Sequence, residues 1–133
     1  MELFCKCVVL LLFSLPYILP DKSNLDDPVL FCDGCFAMVS EIAKDMSVSG
    51  TSGQTLRTRI DASLGGVCST DRLRAYKFSP PTQVKTCEGI LGKYKHLLIS
   101  ILREEYRGGK LSSVDKLTQL FCKEVRNLTN VQL

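Results

Sequence analysis

The order of the cysteines constrains this chain more than any other feature of its sequence. The 133 residues contain seven cysteines, and five of them follow a short apolar N-terminal run. These five are Cys32, Cys35, Cys68, Cys87 and Cys122. Disulfides persist in exported chains, where they stabilise small domains that bury too little surface to be stable on a core alone. Because five is odd, at least one of these thiols cannot pair with another of the five.

The N-terminal segment is typical of a secretory signal peptide. Its apolar run covers residues 7–19, which is shorter than the roughly 20 residues that a membrane-spanning helix needs. We therefore predict a signal peptide over residues 1–20, a helical domain over 21–133 and no transmembrane span. An uncleaved anchor or a buried first helix is the alternative.

Charge and composition narrow the classes of partner. The formal net charge is only +3, and both signs are interspersed without a basic stripe bearing aromatic residues, so we expect no nucleic-acid binding. Asn127-Leu128-Thr129 forms a glycosylation sequon. Together with the leader, this predicts a glycoprotein of the endoplasmic reticulum lumen or of the extracellular space.

Apolar residues recur at helical spacing throughout the predicted domain, and no segment alternates with the period of a strand. We predict an all-α, four-helix bundle with helices over residues 28–46, 54–67, 82–107 and 113–126, and an irregular connector over 69–81.

The expected helix ends follow from single residues. Asp27 and Pro28 suit the N-cap and first position of the first helix, and Ser112 with Asp115 fits a capping box before the last helix. The pair Gly108-Gly109 should end the third helix. Within that helix, Gly89 and Gly92 would let another helix approach closely.

Helical geometry also limits how the cysteines can pair. Cys32 and Cys35 are three residues apart, so they share a helix face that a partner helix carrying Cys122 would meet. Cys68 and Cys87 lie at either end of the proline-containing connector. Nested pairing, from first helix to last and from second to third, would close the bundle at two places.

The cysteine layout resembles the saposin-like pattern, and the residues around the cysteines are more similar to those of the canopy family. The similarity spans residues 28–126. It rests on the stretch Cys32-Asp33-Gly34-Cys35-Phe36-Ala37-Met38-Val39-Ser40-Glu41-Ile42, on Val67-Cys68 with Tyr76, on Thr86-Cys87-Glu88 with Lys93-Tyr94 and Ile99, and on Leu120-Phe121-Cys122.

The resemblance implies a disulfide-stapled saposin-like fold with the pairs Cys35–Cys122 and Cys68–Cys87. In that family layout, Cys32 would pair with a sixth cysteine beyond Cys122, but no cysteine follows Cys122, and no retention tail follows either. Both absences point to an altered C-terminus. They make Cys32 the candidate for an unpaired thiol or for a mixed disulfide with another molecule.

Three functions follow as expectations. The resemblance implies an accessory folding factor, or co-chaperone, that binds client or chaperone proteins in the secretory pathway. The wider saposin-like class implies lipid or membrane binding as an alternative. The third possibility is thiol–disulfide exchange through Cys32 and Cys35, since a C-x-x-C pair can cycle between dithiol and disulfide.

Catalytic and metal chemistry have little support in the sequence. His96 is the sole histidine, and the adjacent carboxylates Glu104 and Glu105 diverge on a helix. A Cys₄ zinc site would need two close cysteine pairs, and only Cys32-x-x-Cys35 is close. We therefore expect no enzyme activity, no metal and no cofactor.

Overall fold

The computed structural model describes residues 27–47 and 55–131, with side chains described as far as residue 128. The predicted signal peptide over residues 1–20 lies outside the described residues. The described part is an all-α bundle stapled by two disulfides, as predicted. Its elements are α1 (Pro28–Ser47), α2 (Leu56–Gly66), α3 (Thr70–Leu73), α4 (Pro80–Glu105), β1 (Tyr106–Arg107), β2 (Lys110–Leu111) and α5 (Val114–Val131).

The first helix begins as the sequence predicts. The Asp27 carboxylate accepts hydrogen bonds from the backbone N–H groups of Val29 at 3.0 Å and Leu30 at 3.2 Å. Pro28 occupies the first helical position, where a missing N–H costs nothing. Asp27 therefore supplies the partner that the first turn of a helix otherwise lacks.

The predicted cap of the last helix is wrong by one residue. Ser113 is the N-cap, because its hydroxyl accepts from the backbone N–H of Lys116 at 3.2 Å. The Ser112 hydroxyl instead donates to the Glu105 carboxylate at 2.6 Å. Ser112 thus ties the end of α4 to the start of α5 and takes no part in a capping box.

Gly108 and Gly109 form a tight hairpin turn instead of ending a helix. Their φ angles are +61° and +78°, and two consecutive left-handed residues are what a type I′ turn requires. Residue Tyr106 pairs with Leu111 across the short antiparallel ladder. Helix α4 therefore ends at Glu105, two residues earlier than predicted.

The connector predicted as irregular contains one turn of helix, α3. The Ser69 hydroxyl caps this turn by accepting from the backbone N–H of Arg72 at 3.3 Å. Leu73 is fully buried, so the turn contributes to the core as well as linking α2 to α4.

The core lies between α1, α4 and α5, with α2 and α3 packed along its side. The predicted apolar faces are largely buried, including the methionines and aromatic residues of α1 and α5. Leu120 is an exception at 39 % exposed, although it lies at helical spacing from Leu117 and next to Phe121, both of which are buried. Helix α4 is kinked at Tyr94, where φ is −122° and ψ is 22°.

The close helix approach predicted at Gly92 is wrong. An ideal Cβ atom built on Gly92 would meet nothing within 4 Å, because this residue faces an open groove. The close approach occurs at Gly34 of α1, which is buried against α4. The same prediction for Gly89 stays untested.

Candidate functional site

Each of the two disulfides links two different helical segments of the bundle. Cys35 of α1 is bonded to Cys122 of α5 across a Cα–Cα distance of 6.0 Å, and Cys68 to Cys87 of α4 across 5.5 Å. These are the two pairs that the saposin-like layout implies. The Cys35–Cys122 bond joins α1 to α5, and the Cys68–Cys87 bond joins the end of α2 to α4.

The two bonds differ in their exposure to solvent. Cys35 and Cys122 are 0 % and 1 % exposed, so the first disulfide lies inside the core. Cys87 is also fully buried, but Cys68 is only half-buried. Cys68 is therefore the most accessible cysteine among the residues that the structure describes.

Cys32 lies in the first two turns of α1 and takes part in neither of these two disulfides. It is only 2 % exposed, so its side chain is shielded from water. A mixed disulfide through Cys32 stays a prediction, and it would require this end of α1 to open. Since Cys35 is bonded to Cys122, the C-x-x-C pair is not a disulfide in this structure.

Buried polar atoms cluster where α1 crosses the start of α4. Gln83 is fully buried, and neither of its amide atoms has a hydrogen-bond partner among the described residues. The Oδ2 atom of Asp33 is likewise buried without a hydrogen bond, although Lys77 Nζ lies 4.0 Å from it. Burial raises the pKa of Asp33, and the nearby Lys77 ammonium only partly opposes this effect.

An open groove separates the end of α2 from the middle of α4. Its volume is about 530 Å³, within the range of small-molecule and peptide sites. Glycines form much of its wall, since side chains are absent at Gly65, Gly66 and Gly92. The remaining lining residues are Leu64, Cys68, Ser69, Glu88, Leu91 and Lys95. Leu91 supplies accessible apolar surface, whereas Leu64 is only 4 % exposed, and Glu88 and Lys95 supply opposite charges.

A network of ion pairs fixes α3 against α1. Arg72 donates to the Glu41 carboxylate at 3.3 Å, to the Glu41 main-chain carbonyl at 2.7 Å and to the Asp45 carboxylate at 2.8 Å. Tyr76 and Lys44 both donate to the other carboxylate oxygen of Glu41, at 2.7 and 2.8 Å. Because three donors converge on one carboxylate, this network holds the segment that carries Cys68.

The titration of this network follows from its geometry. Burial alone would raise the pKa of Glu41, but the hydrogen bonds from Lys44, Tyr76 and Arg72 hold it below its ordinary value. Burial and the hydrogen bond to Glu41 raise the pKa of Tyr76. Glu41 is therefore ionised at neutral pH and acts as a structural anion.

The residues considered for catalysis are separated. His96 is exposed on α4, and Glu104 is exposed as well. Glu105 bonds to Ser112 and forms an ion pair with Lys116 at 3.0 Å. Within residues 27–47 and 55–131, no group of three or more histidine, cysteine, aspartate or glutamate side chains is arranged to hold a metal ion.

The predicted glycosylation residue Asn127 is exposed on α5, so solvent reaches its side-chain amide. The side chain of Thr129, the third residue of the sequon, lies outside the described ones. Modification of Asn127 stays a prediction. None of the helices in the described ranges combines the length and the apolar composition needed to cross a bilayer.

Comparison of the chain with protein-family models, with curated proteins and with solved structures finds no significant match.

An exposed apolar groove between helices is expected of a client-binding protein, but the sequence does not place it between α2 and α4. The sequence predicts a helix contact at Gly92, and Gly65-Gly66 lie near the predicted end of the second helix. The available signal was that helical glycines fall in two segments joined by one disulfide, which brings their bare surfaces together. Only the packing of α2 against α4 reveals that these surfaces face outward.

Proposed function

We propose that this chain is an accessory folding factor that binds client or chaperone proteins in the endoplasmic reticulum lumen or after secretion. The observation that carries the proposal is the open groove between α2 and α4. It offers apolar surface from the half-buried Leu91 above the buried Leu64, and no side chain at Gly92 obstructs it. An unfolded client exposes short apolar segments of the kind that such a groove would accept. The two disulfides favour an oxidising compartment.

The resemblance to the canopy family also supports this proposal, because it implies client binding without catalysis. Lipid binding fits the core less well. The space between Val39, Leu98 and Phe121 is too small to hold a water molecule, so an acyl chain would enter only if the bundle opened. Two leucines on α5, Leu120 and Leu128, are each 39 % exposed.

The proposal is tested by aggregation of reduced, unfolded ribonuclease, followed by light scattering with the oxidised chain in excess. We expect the chain to suppress aggregation and the variant Gly92→Trp, which fills the groove, to lose most of that effect. Ser100→Trp is the matched control, because Ser100 is exposed on the same helix but does not line the groove. If Gly92→Trp suppresses aggregation as well as Ser100→Trp does, the groove is excluded as the client site.

A parallel measurement addresses the lipid alternative. Vesicles of phosphatidylcholine with phosphatidylserine are mixed with the chain, and co-flotation is recorded at neutral and mildly acidic pH. Vesicle binding without any effect on ribonuclease aggregation would favour a lipid-binding function over the proposed one.

A further inference from the structure

The disulfide between Cys68 and Cys87 has one accessible end. Cys68 lines the groove and is half-buried, whereas Cys87 is fully buried and does not line it. The other disulfide has no accessible end, since both of its cysteines are at most 1 % exposed. Attack on a disulfide requires access to one sulfur, and the leaving sulfur is then its partner.

We propose that Cys68 is a thiol–disulfide exchange site, and that its substrate is a cysteine thiolate carried on a segment that enters the groove. This site is distinct from the Cys32-x-x-Cys35 motif. It uses the same groove as the client site and rests on the proposed function for binding of the segment, whereas the accessibility of Cys68 is tested separately. The flanking glycines, Gly65, Gly66 and Gly92, leave room for the incoming backbone beside Cys68.

The reaction balances without a cofactor. The incoming thiolate bonds to the Cys68 sulfur, the Cys68–Cys87 bond breaks, and its electron pair leaves on the Cys87 sulfur, which takes a proton from water. The product is a mixed disulfide on Cys68. A second thiol of the substrate then displaces Cys68, so the substrate gains a disulfide and the chain becomes a dithiol. Without a second thiol, the Cys87 thiol loses its proton to water and attacks the Cys68 sulfur. The bond between Cys68 and the substrate then breaks, the substrate leaves as a thiolate, and the original disulfide is restored.

Packing makes the return step efficient. The ion-pair network anchors Arg72, four residues after Cys68, to Glu41 and Asp45 of α1, and Cys87 is held in α4. The two sulfurs therefore stay close after the bond opens. The chain keeps its second disulfide, Cys35–Cys122, through the whole reaction because both of its sulfurs are buried.

The first test uses two variants that each remove the Cys68–Cys87 disulfide. Cys87→Ser leaves the Cys68 thiol facing the groove, and Cys68→Ser leaves the Cys87 thiol inside the core. Each folded variant is labelled with a maleimide, and peptide mass spectrometry follows each cysteine against the rate in denaturant. We expect Cys68 to be labelled roughly ten-fold or more faster than Cys87, since reactivity follows exposure. Equal rates, or faster labelling of Cys87, would overturn the proposal.

The second test uses the oxidised wild-type chain, so it does not depend on the variants folding. A peptide with two cysteines is added in excess, so that its second thiol competes with the return of Cys87. Samples are quenched with acid at successive times, and the mixed disulfide and the cysteine pair that becomes reduced are mapped. We expect the peptide on Cys68, with a slower reaction in Gly92→Trp and an unchanged one in Ser100→Trp. A peptide found first on Cys87, Cys35 or Cys122 would refute Cys68 as the exchange site.

Discussion

Gly34 of α1 packs so closely on Thr86 of α4 that a Cβ atom at position 34 would overlap the Thr86 methyl group. The two helices therefore approach most closely beside a residue that lacks a side chain, and Thr86 directly precedes Cys87 in the sequence. Close packing of this kind leaves no room for an added atom, because the interior of a protein is densely packed and can relax only a little.

Gly34→Ala is accordingly expected to destabilise the chain by about 1–3 kcal/mol, since overpacking outweighs the gain in helix propensity. Gly92→Ala is the matched control: its Cβ meets nothing, so the free energy of unfolding should rise by up to about 1 kcal/mol. Thr86→Ser removes only the methyl group and should rescue Gly34→Ala. Urea unfolding is measured for wild type, Gly34→Ala, Gly92→Ala and the double variant Gly34→Ala/Thr86→Ser. A double variant as unstable as Gly34→Ala would show that this contact is not the cause.

Glu41 gives a prediction for acid stability. Its pKa is lowered in the folded state, so its stabilising effect is complete above its ordinary pKa of about 4.3 and is lost as the pH falls through the lowered value. Glu41→Gln should destabilise the chain by about 1–3 kcal/mol at pH 7, because Arg72 loses its buried counter-charge.

Unfolding of both chains is measured in urea from pH 7 to pH 2, and the two curves should converge in acid. The control is Asp71→Asn, which breaks an exposed ion pair with Arg74 and should change stability little. A constant difference between wild type and Glu41→Gln down to pH 2 would refute the ionic origin of the effect.

Asp33 should show the opposite dependence on pH. Its pKa is raised by burial, so the folded state is favoured when Asp33 is protonated, and this contribution is lost as the pH rises from its ordinary pKa of about 3.9 through the raised value. Asp33→Asn should therefore unfold at a higher temperature than wild type at pH 7 and at the same temperature near pH 3. Thermal melts at both pH values decide this, and a less stable variant at pH 7 would contradict it.

The two disulfides should contribute unequally to stability. Their sequence separations are 87 and 19 residues, for which the loop-entropy model gives about 4.5 and about 3 kcal/mol. The double variants Cys35→Ala/Cys122→Ala and Cys68→Ala/Cys87→Ala are compared by urea unfolding. We expect the first to lose more stability, and the reverse order would show that packing around Cys68 matters more than loop length.

The helical core could be predicted from sequence because burial follows the helical period. On α1, the residues at that spacing are the buried ones, and Asp27 caps the helix as expected. Position-specific roles were harder to assign. Ser112 and Ser113 are adjacent serines, and only the hairpin, which draws Ser112 towards Glu105, leaves Ser113 to cap α5.

The position of the groove could not be predicted, because it depends on tertiary packing that the local sequence does not determine. A helical glycine is equally suited to close packing and to an open surface, so Gly34 and Gly92 could not be told apart before the helices were placed. The unequal exposure of Cys68 and Cys87 likewise depends on how α2 meets α4. The two pairs are implied by the resemblance to the saposin-like layout, whereas the accessibility of each cysteine requires the tertiary structure.

The nested arrangement of the two disulfides also sets an order of events during synthesis. Cys68 and Cys87 have both left the ribosome well before Cys122 does, so the inner loop can close while α5 is still being made. Closing that loop shortens the free chain that must be ordered before Cys35 and Cys122 meet, and it lowers the entropic cost of the outer bond. Until Cys122 emerges, Cys35 cannot form its native bond. If the chain is made in the secretory compartment proposed above, α1 presents Cys35 and the neighbouring Cys32 to the oxidants there during that interval.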